Sequence, residues 1–334
     1  MTRMTFIFTS IAIVMVGVIL FLLKEGEAKP VVMQLEPGPS QPRVSPGEAG
    51  LDAAALALAA DYAGERNSSA LVVARGGHIV FEQYWGDTTF DTPVDPGFAP
   101  VLAALLTGTA LNDRLIVNLD RPVSNYLDGT ADPQQAASMR ELLGGSLEVL
   151  SLQDSTDLVA LVLERLGGQP YQSLVVERLW KPMGGGNLEF RARDNRRRPQ
   201  GVSAACCVRA RIGDWMRIGV LLANDGVFEG NQYTPPRFVS QMLRPAYRES
   251  TRGFHVRVDG TFATRDVAWL DGTDQQRMWV VPSLQLVILR LGGAAPSSKE
   301  WNEAWIPDTV IRGTSGWQPR AAGEGIDPGK FAPH

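Results

Sequence analysis

The sequence predicts an α+β domain of the α/β sandwich type, in which helices from both ends of the chain flank an antiparallel five-stranded sheet. Three observations predict it: two β-rich runs around residue 75, a helical block at about 97–200, and three β-rich runs after residue 265. A helical subdomain is therefore inserted into the sheet, and an N-terminal transmembrane helix precedes the domain.

The composition is that of an ordinary globular protein. The chain has 334 residues, of which 44% are hydrophobic and 20% are charged, and its formal net charge is -4. This length is sufficient for one large domain. Because the chain has no overall positive charge, we expect no sequence-independent binding to nucleic acid.

The N-terminal residues 1–23 are predicted to anchor the protein in a membrane. Residues 5–23 form an uncharged apolar run that would be about 28 Å long as a helix, close to the thickness of a bilayer core. Signal peptides have shorter apolar regions of roughly 7–15 residues, so an anchor is favoured over a cleaved signal, for which Gly26–Ala28 would be a weak cleavage site. Arg3 favours a domain on the extracytoplasmic, periplasmic side, whereas two lysines after the run oppose that orientation.

Three further segments follow the anchor. Residues 24–49 are rich in Pro and Gly and are predicted to form an extended linker. The folded domain is predicted at 50–314, with its helical subdomain at about 97–200, and residues 315–334 form a C-terminal tail.

Each run within the domain has the apolar spacing of a helix or a strand. In chain order these are a helix in LDAAALALAADYA; a hairpin formed by Ala70–Ala74 and His78–Trp85; helices in APVLAALLTGTALNDRL, SMRELLGG, STDLVALVLERLGG, PYQSLVVERLWKPMG and ARIGDWMRIGVLLANDG; strands in DVAWL, QRMWVVP and LQLVILRLGG; and a last helix in SSKEWNEAWIPDTVIRG. The order helix, two strands, helical block, three strands, helix accounts for the predicted fold.

Several of these segments resemble one known family. They are LVVARGGHIVFEQYWGD, LLTGTALNDRLIVNLDRPVSNYL, MRELLGGS, YQSLVVERLWKPMG, RIGDWMRIGVLLANDGVFEGNQYTPPRFVSQM and DGTDQQRMWVVPSLQLVILRLGG. In this order and spacing they resemble the serine β-lactamases, the penicillin-binding proteins and the class C-like esterases and amide hydrolases, over about Leu51–Ile311. The resemblance implies acyl-serine chemistry on β-lactams, D-amino-acid peptides, esters or amides.

The first element of that chemistry is a serine at the start of a helix with a lysine one turn later to accept its proton. The resemblance places Gly97 at the serine and Pro100 at the lysine, and neither can act as nucleophile or base. No Ser-x-x-Lys sequence exists elsewhere, because the residues three before the five lysines are Phe21, Gly26, Arg178, Pro296 and Asp327.

The second and third elements are also degenerate. A Tyr-x-Asn or Ser-x-Asn element maps to Ser151 and Gln153, without the usual tyrosine, after a connection shorter than the resemblance leads one to expect. The cation-x-Gly element of the edge strand maps to Leu270–Gly272, where the positive charge is lost and Gly272 is retained. If Gly97 and Gly272 face each other across an open groove, ligand binding is favoured, whereas a groove filled by Phe98 favours a structural role.

These losses predict a membrane-anchored pseudoenzyme that binds a small molecule, a peptidoglycan-like ligand or a protein. The alternative is a divergent amidase or esterase whose nucleophile is Ser146, Ser151 or Ser203. The sequence lacks a Gly-x-Ser-x-Gly elbow, an HExxH motif and paired histidine spacing, so neither a metal nor a cofactor is expected. An acid pair formed by Asp271 and Asp274 is a further, weaker candidate for acid–base catalysis.

Two other features remain open. The adjacent Cys206 and Cys207 form either a strained vicinal disulfide or two small core residues. The stretch 191–200 contains five arginines and one aspartate, and it is either a solvated loop or a contact with anionic lipid or envelope polymer.

Overall fold

The computed structural model describes residues 30–127, 136–145, 150–192, 201–247, 250–258 and 261–318. Within them the chain forms eight α-helices: α1 Ala53–Gly64, α2 Pro100–Asn112, α3 Met139–Gly144, α4 Leu152–Gly167, α5 Tyr171–Val175, α6 Ile212–Ala223, α7 Pro236–Met242 and α8 Trp305–Arg312. The strands of the same residues are β1 Val31–Met33, β2 Ser68–Arg75, β3 His78–Tyr84, β4 Pro93–Val94, β5 Leu188–Phe190, β6 Val208–Arg211, β7 Val227–Phe228, β8 Asn231–Gln232, β9 Ala268–Asp271, β10 Arg277–Val281 and β11 Leu286–Gly292.

The predicted five-stranded antiparallel sheet is confirmed. Its strands lie in the order β3-β2-β11-β10-β9, and every neighbouring pair is antiparallel. The two hairpin strands thus pair with the three late strands through β2 and β11, whose register joins Val73 to Ile288. This pairing brings the early hairpin strands and the three late strands into one sheet, although the helical block separates them in the sequence.

Both faces of the sheet are covered by helices. Successive residues of a strand point to opposite faces, and in β2 Leu71 and Val73 enter a core shared with the terminal helices α1 and α8. Val72 faces the other way, into a larger core with α6 and the helical block. Because both faces are buried, these strands are nearly continuous apolar runs rather than alternating ones.

Helix α2 lies at the centre of the helical block. Ten of its 13 residues are buried, so the helix is apolar all round, as expected for an interior helix. Its neighbours are α4, α5 and α7. Pro100 occupies the first turn, where the missing N–H group costs little, and the helix has no side-chain N-cap.

The segment 30–49 differs from the free linker predicted there, because its described residues pack on the domain. Strand β1 pairs with β5, the Gly38 N–H donates to Gly184 O at 3.0 Å, and the Val44 N–H donates to Ile79 O at 3.1 Å. Backbone hydrogen bonds of this kind satisfy polar groups that a free linker would leave to water.

A second sheet, with strand order β1-β5-β6-β4, was not predicted. Its strands have only two to four residues, which is too short for an alternating pattern to be recognised. Strand β4 runs directly into the loop before α2, so this small sheet helps to position the start of that helix.

No helix of the described residues has both the length and the apolar character needed to cross a bilayer. The predicted anchor, residues 5–23, lies outside the described ranges, as does the C-terminal tail from residue 319 onward.

The side chain of Arg290 in β11 is fully buried and joins three parts of the chain. Its Nε donates to Ser68 Oγ at 2.8 Å, and its Nη1 donates to the carbonyl oxygens of Asp274 and Gln275 at 3.0 and 3.1 Å. Its Nη2 donates to the carbonyl oxygens of Arg66 and Gly293 at 2.6 and 2.7 Å. Burial lowers the pKa of Arg290 to about 10, and the five hydrogen bonds compensate for its lost hydration.

Replacing this side chain should be strongly destabilising. We expect Arg290→Met to lower the free energy of unfolding by about 3–5 kcal/mol, because four partly buried carbonyl groups and the buried Ser68 hydroxyl lose their donor. Chemical denaturation of the variant measures this loss. The control is Arg209→Met, which removes an exposed side chain with a bond to Pro93 O and should cost less than about 1 kcal/mol. Equal losses in the two variants would contradict the role assigned to Arg290.

His255 is buried in the segment that contacts α3, where its backbone N–H donates to Leu143 O at 3.0 Å. Neither ring nitrogen has a hydrogen-bond partner. Burial, aided by the positive charge of Arg252, lowers the pKa of His255 to about 3. The imidazole is therefore neutral in the folded protein at every pH above that value.

This histidine should make the protein less stable in acid. In the unfolded chain His255 takes up a proton below its ordinary pKa near 6.5, whereas in the folded protein it stays neutral. The contribution of this residue to the free energy of unfolding is therefore fully present above pH 6.5 and is lost as the pH falls from about 6.5 toward 3. Between pH 7 and pH 5 we expect a loss of about 2 kcal/mol in the free energy of unfolding. The variant His255→Asn should lose correspondingly less over this interval, and an unchanged pH dependence would contradict the assignment.

Candidate functional site

Gly97 and Gly272, which the resemblance places at the serine and at the glycine of the third element, are in direct backbone contact. Gly97 has a φ of +83°, and a Cβ atom added to it would lie 3.2 Å from both Gly272 Cα and Thr273 N. A Cβ atom added to Gly272 would collide with Pro96 O. Among the described residues there is therefore no open groove between these two glycines.

Phe98 fills the space beside this contact. Its side chain is only 2% exposed and packs edge-on against Trp215, with ring centroids 5.9 Å apart. A Cβ atom on Gly272 would lie 3.1 Å from Phe98 Cε1. Of the two outcomes considered from the sequence, the structure matches the filled groove.

Pro100 and Leu270 complete an apolar environment. Pro100 is buried in the first turn of α2. Leu270 of β9 is 2% exposed and belongs to the same core as Phe98, whereas Trp269 before it faces the other side of the sheet. The position where the family pattern has a cation is thus part of the hydrophobic core.

The turn that carries Gly272 is held by two arginines. Arg277 Nη1 donates to the carbonyl oxygens of Gly272 and Gln276 at 3.0 and 2.9 Å. Arg290 binds the carbonyl groups of Asp274 and Gln275, both of which have a positive φ. The carbonyl oxygens of this turn therefore accept hydrogen bonds from the protein's own arginine side chains.

The two aspartates proposed as an acid pair have structural roles. Asp271 Oδ1 forms an ion pair with Arg277 at 2.9 Å, and Asp271 Oδ2 lies 3.7 Å from Arg257 Nη1. Asp274 lies in the turn in the left-handed region, with a φ of 52°. Neither arginine was predicted from the sequence: Arg257 lies outside the segments that carry the resemblance, and Arg277 lies within one of them but belongs to no motif of the family.

Ser151 and Gln153, the candidates for the second element, lie at the start of α4. Ser151 is its N-cap, where the hydroxyl accepts from Asp154 N at 3.0 Å and donates to Asp154 Oδ2 at 2.7 Å. Both Ser151 and Gln153 are exposed. These local contacts are those of a helix cap, and the structure does not bring either residue to the contact of Gly97 with Gly272.

The other serine candidates differ in their environment. Ser203 is buried, and its hydroxyl donates to Asp157 Oδ1 at 3.3 Å, while the Ala204 N–H donates to the same oxygen at 2.8 Å. In the described part of the chain, its hydrogen-bond partners include neither a histidine nor a lysine that could accept its proton. Ser146 lies outside the described residues.

Cys206 and Cys207 are free thiols, and Arg191 Nη1 lies 3.6 Å from Cys207 Sγ. Burial raises the pKa of Cys206 to about 11, which keeps this thiol protonated and weakly nucleophilic at neutral pH. Within the described ranges, no group of three or more His, Cys, Asp and Glu residues could hold a metal ion.

A cavity of about 310 Å³ lies on one face of the small sheet. Its lining comprises Val32, Leu35, Pro37, Asp91, Pro93, Gly186, Asn187, Glu189, Arg209 and Arg211. This cavity was not predicted, because one of its walls belongs to residues 30–49, part of the segment 24–49 whose composition predicts an extended linker. The charged side chains of this lining are those of Arg209, Arg211, Asp91 and Glu189, so its formal net charge is zero.

Solved structures share this fold. A candidate 6-aminohexanoate-dimer hydrolase from Bacillus anthracis is 15% identical with a TM-score of 0.65, over 87% of this chain and 90% of that chain. A candidate β-lactamase from Bacteroides dorei is 16% identical with a TM-score of 0.63, over 78% and 98%. A penicillin-binding protein homologue from Caulobacter crescentus is 11% identical with a TM-score of 0.58, over 74% and 93%.

The fold is therefore that of the serine β-lactamases and penicillin-binding proteins, as the resemblance implied. No protein-family profile matches the sequence, and no curated protein matches it. At the identities given above, the likeness establishes the fold alone.

The contact of Gly97 with Gly272 should make any side chain at residue 97 destabilising. We expect Gly97→Ser to lower the free energy of unfolding by about 2–4 kcal/mol, because a left-handed φ and a close backbone contact both penalise a Cβ atom. Gly76→Ser is a matched control: its φ is +57°, but nothing lies within 4 Å of an added Cβ atom. The free energy of unfolding of this control should fall by only about 1 kcal/mol. Chemical denaturation measures both variants. A fall in the free energy of unfolding that is no larger for Gly97→Ser than for Gly76→Ser would contradict the close contact of Gly97 with Gly272.

Proposed function

We propose that this chain is a membrane-anchored, extracytoplasmic pseudoenzyme with a β-lactamase-like fold, which acts as a binding or envelope-associated protein. In this proposal residues 5–23 hold the protein in the membrane, and the domain lies on the periplasmic side. The ligand is a small molecule, a peptidoglycan-like polymer or another protein.

The observation that supports the proposal is that residue 97 is a glycine packed against the backbone of Gly272. The chain contains no Ser-x-x-Lys sequence, and Gly97 at the expected serine is pressed against the backbone of Gly272. Acyl-serine catalysis needs a nucleophile, a base and an adjacent space for the substrate's carbonyl group. All three are lacking at this position.

Because the groove is filled, the criterion set from the sequence favours a structural, envelope-associated role, and any binding then uses the outer surface rather than the groove. Phe98 and Leu270 occupy the interior beside the two glycines, so a ligand there would have to displace core side chains. The 310 Å³ cavity beside the small sheet is an accessible alternative, with an apolar wall from Val32 and Leu35 and charged groups from Arg209 and Glu189.

The alternative function is an amidase or esterase with a different nucleophile. Ser203 has an acidic partner, but a carboxylate that also accepts from Ala204 N is a weak base for a hydroxyl. Ser151 is occupied as a helix cap. Neither arrangement favours hydrolysis over the proposed non-catalytic role.

The test is covalent labelling of the full-length protein in detergent. We expect neither a fluorescent penicillin nor a fluorophosphonate probe to form an adduct, as measured by gel fluorescence and intact mass. A heat-unfolded sample controls for non-specific reaction. Labelling of the folded protein at a serine would overturn the proposal, and loss of that label in Ser203→Ala or Ser151→Ala would identify the nucleophile of the alternative.

A further inference from the structure

The cavity beside the small sheet lies on one face of all four of its strands. Val32 of β1 is directly opposite Glu189 of β5, and Glu189 is directly opposite Arg209 of β6. The side chains of directly opposite residues in antiparallel strands point to the same face. Arg211 lies two residues after Arg209 and is opposite Pro93 of β4, so Arg211 and Pro93 belong to this face as well. The centre of the lining is thus formed by paired strands.

Two of the four charged side chains of the lining, Arg211 and Asp91, already have charged partners in the protein. Arg211 donates from Nε and Nη2 to the two carboxylate oxygens of the buried Asp214 at 2.9 and 2.8 Å, and from Nη1 to Asp91 Oδ1 at 3.3 Å. Asp214 also forms an ion pair with the buried Arg217 at 3.6 Å. This group of two arginines and two aspartates is therefore neutral.

The other two charged side chains, Glu189 and Arg209, differ in this respect. They lie opposite one another, but they form no ion pair with each other, and within the described part of the chain neither has another charged partner. Arg209 Nε donates to Pro93 O at 3.2 Å, which holds the guanidinium on the side of β4, away from Glu189. The cavity thus contains one positive and one negative group that are separated from each other.

An amide and an apolar wall complete the site. Asn187 Oδ1 accepts from the Leu35 N–H at 2.8 Å, and the Asn187 Nδ2 group has no hydrogen-bond partner among the residues that the structure describes. Val32 is 44% exposed and, with Leu35 and Pro37, forms the apolar wall. Pockets of roughly 300 Å³ are at the lower end of the range for small-molecule sites, so the volume of about 310 Å³ suits a small ligand.

We propose that this cavity binds a small zwitterion, whose ammonium group contacts Glu189, whose carboxylate contacts Arg209 and whose apolar side chain packs against Val32. Free α-amino acids and short peptides share this chemistry. A guanidinium binds a carboxylate through parallel N–H···O bonds, and the Nη1 and Nη2 groups of Arg209 are not used by Pro93 O. The inference rests on the binding role in the proposed function and adds the class of ligand and its place on the outer surface.

The experiment is a saturation-transfer NMR titration of the full-length protein in non-ionic detergent with four probes. L-leucine and L-leucyl-L-leucine carry both charges, leucinamide lacks the carboxylate, and N-acetyl-L-leucine lacks the ammonium group. We expect at least one zwitterion to bind saturably, with a dissociation constant at least tenfold lower than that of either singly charged analogue, because each hydrogen-bonded charge contributes about a factor of ten or more.

The two zwitterions identify the source of the ligand. Tighter binding of leucine indicates a free amino acid, and tighter binding of the dipeptide indicates a peptide; both results support the site. Equal binding of either singly charged analogue, or no saturable binding of either zwitterion, would overturn the proposal.

Matched variants locate the binding site. Glu189→Gln and Arg209→Met should each weaken binding of the zwitterion about tenfold. Glu177→Gln and Arg237→Met make the same changes at exposed positions outside the cavity lining and should leave binding unchanged. Thermal unfolding verifies that all four variants are folded. Equal effects of the cavity variants and their controls would contradict the assigned site.

Each variant should also lose its discrimination against one analogue. In Glu189→Gln the zwitterion should bind no more than about threefold better than N-acetyl-L-leucine, because the ammonium group then has no carboxylate partner. In Arg209→Met the same should hold for leucinamide. Discrimination that is unchanged in both variants would contradict the assigned contacts.

This proposal and the proposed function can fail separately. A serine labelled by the penicillin or the fluorophosphonate probe contradicts the non-catalytic role, whereas a protein that is not labelled and binds neither zwitterion contradicts the cavity site alone.

Discussion

The buried guanidinium of Arg290 is the interaction on which the arrangement of this domain depends. A cation in the interior is costly unless its donors are satisfied, and here four carbonyl groups and one hydroxyl accept from it. These acceptors come from the connection between α1 and β2 together with the first residue of β2, from the turn between β9 and β10, and from the chain after β11. Because a guanidinium donates in fixed directions, it sets the positions of these three segments relative to one another. The turn that carries Gly272 is thereby held in place from inside the sheet.

That turn determines how closely the loop before α2 packs against β9. With Gly272 fixed, a side chain at residue 97 would force the two backbones apart, and the left-handed φ of Gly97 also favours glycine. The lack of a side chain at residue 97 and the filled groove are therefore two aspects of one backbone contact. The two hydrophobic cores on either side of the five-stranded sheet are built from strand and helix residues.

Residues 30–49 pack on the domain and form part of it. Residues 30–49 supply an edge strand, cover one wall of a cavity and lead the chain out beside Arg191. A segment rich in Pro and Gly is able to do this because extended backbone can pair with a sheet edge without any apolar periodicity. Strand β1 and the bond from the Gly38 N–H to Gly184 O extend the small sheet, whose strands have only two to four residues.

The sequence by itself determined the order of the long elements and the absence of a Ser-x-x-Lys pair. Both depend on local information: apolar spacing predicts β2, β10, β11 and α2, and the identities of Gly97 and Pro100 are known without any knowledge of the fold. Only the tertiary structure decided that Gly97 touches Gly272, that Leu270 is a core residue and that residues 30–49 belong to the domain. These are contacts between segments far apart in the chain, made by close packing and by backbone hydrogen bonds, and such contacts leave no periodic pattern in the sequence.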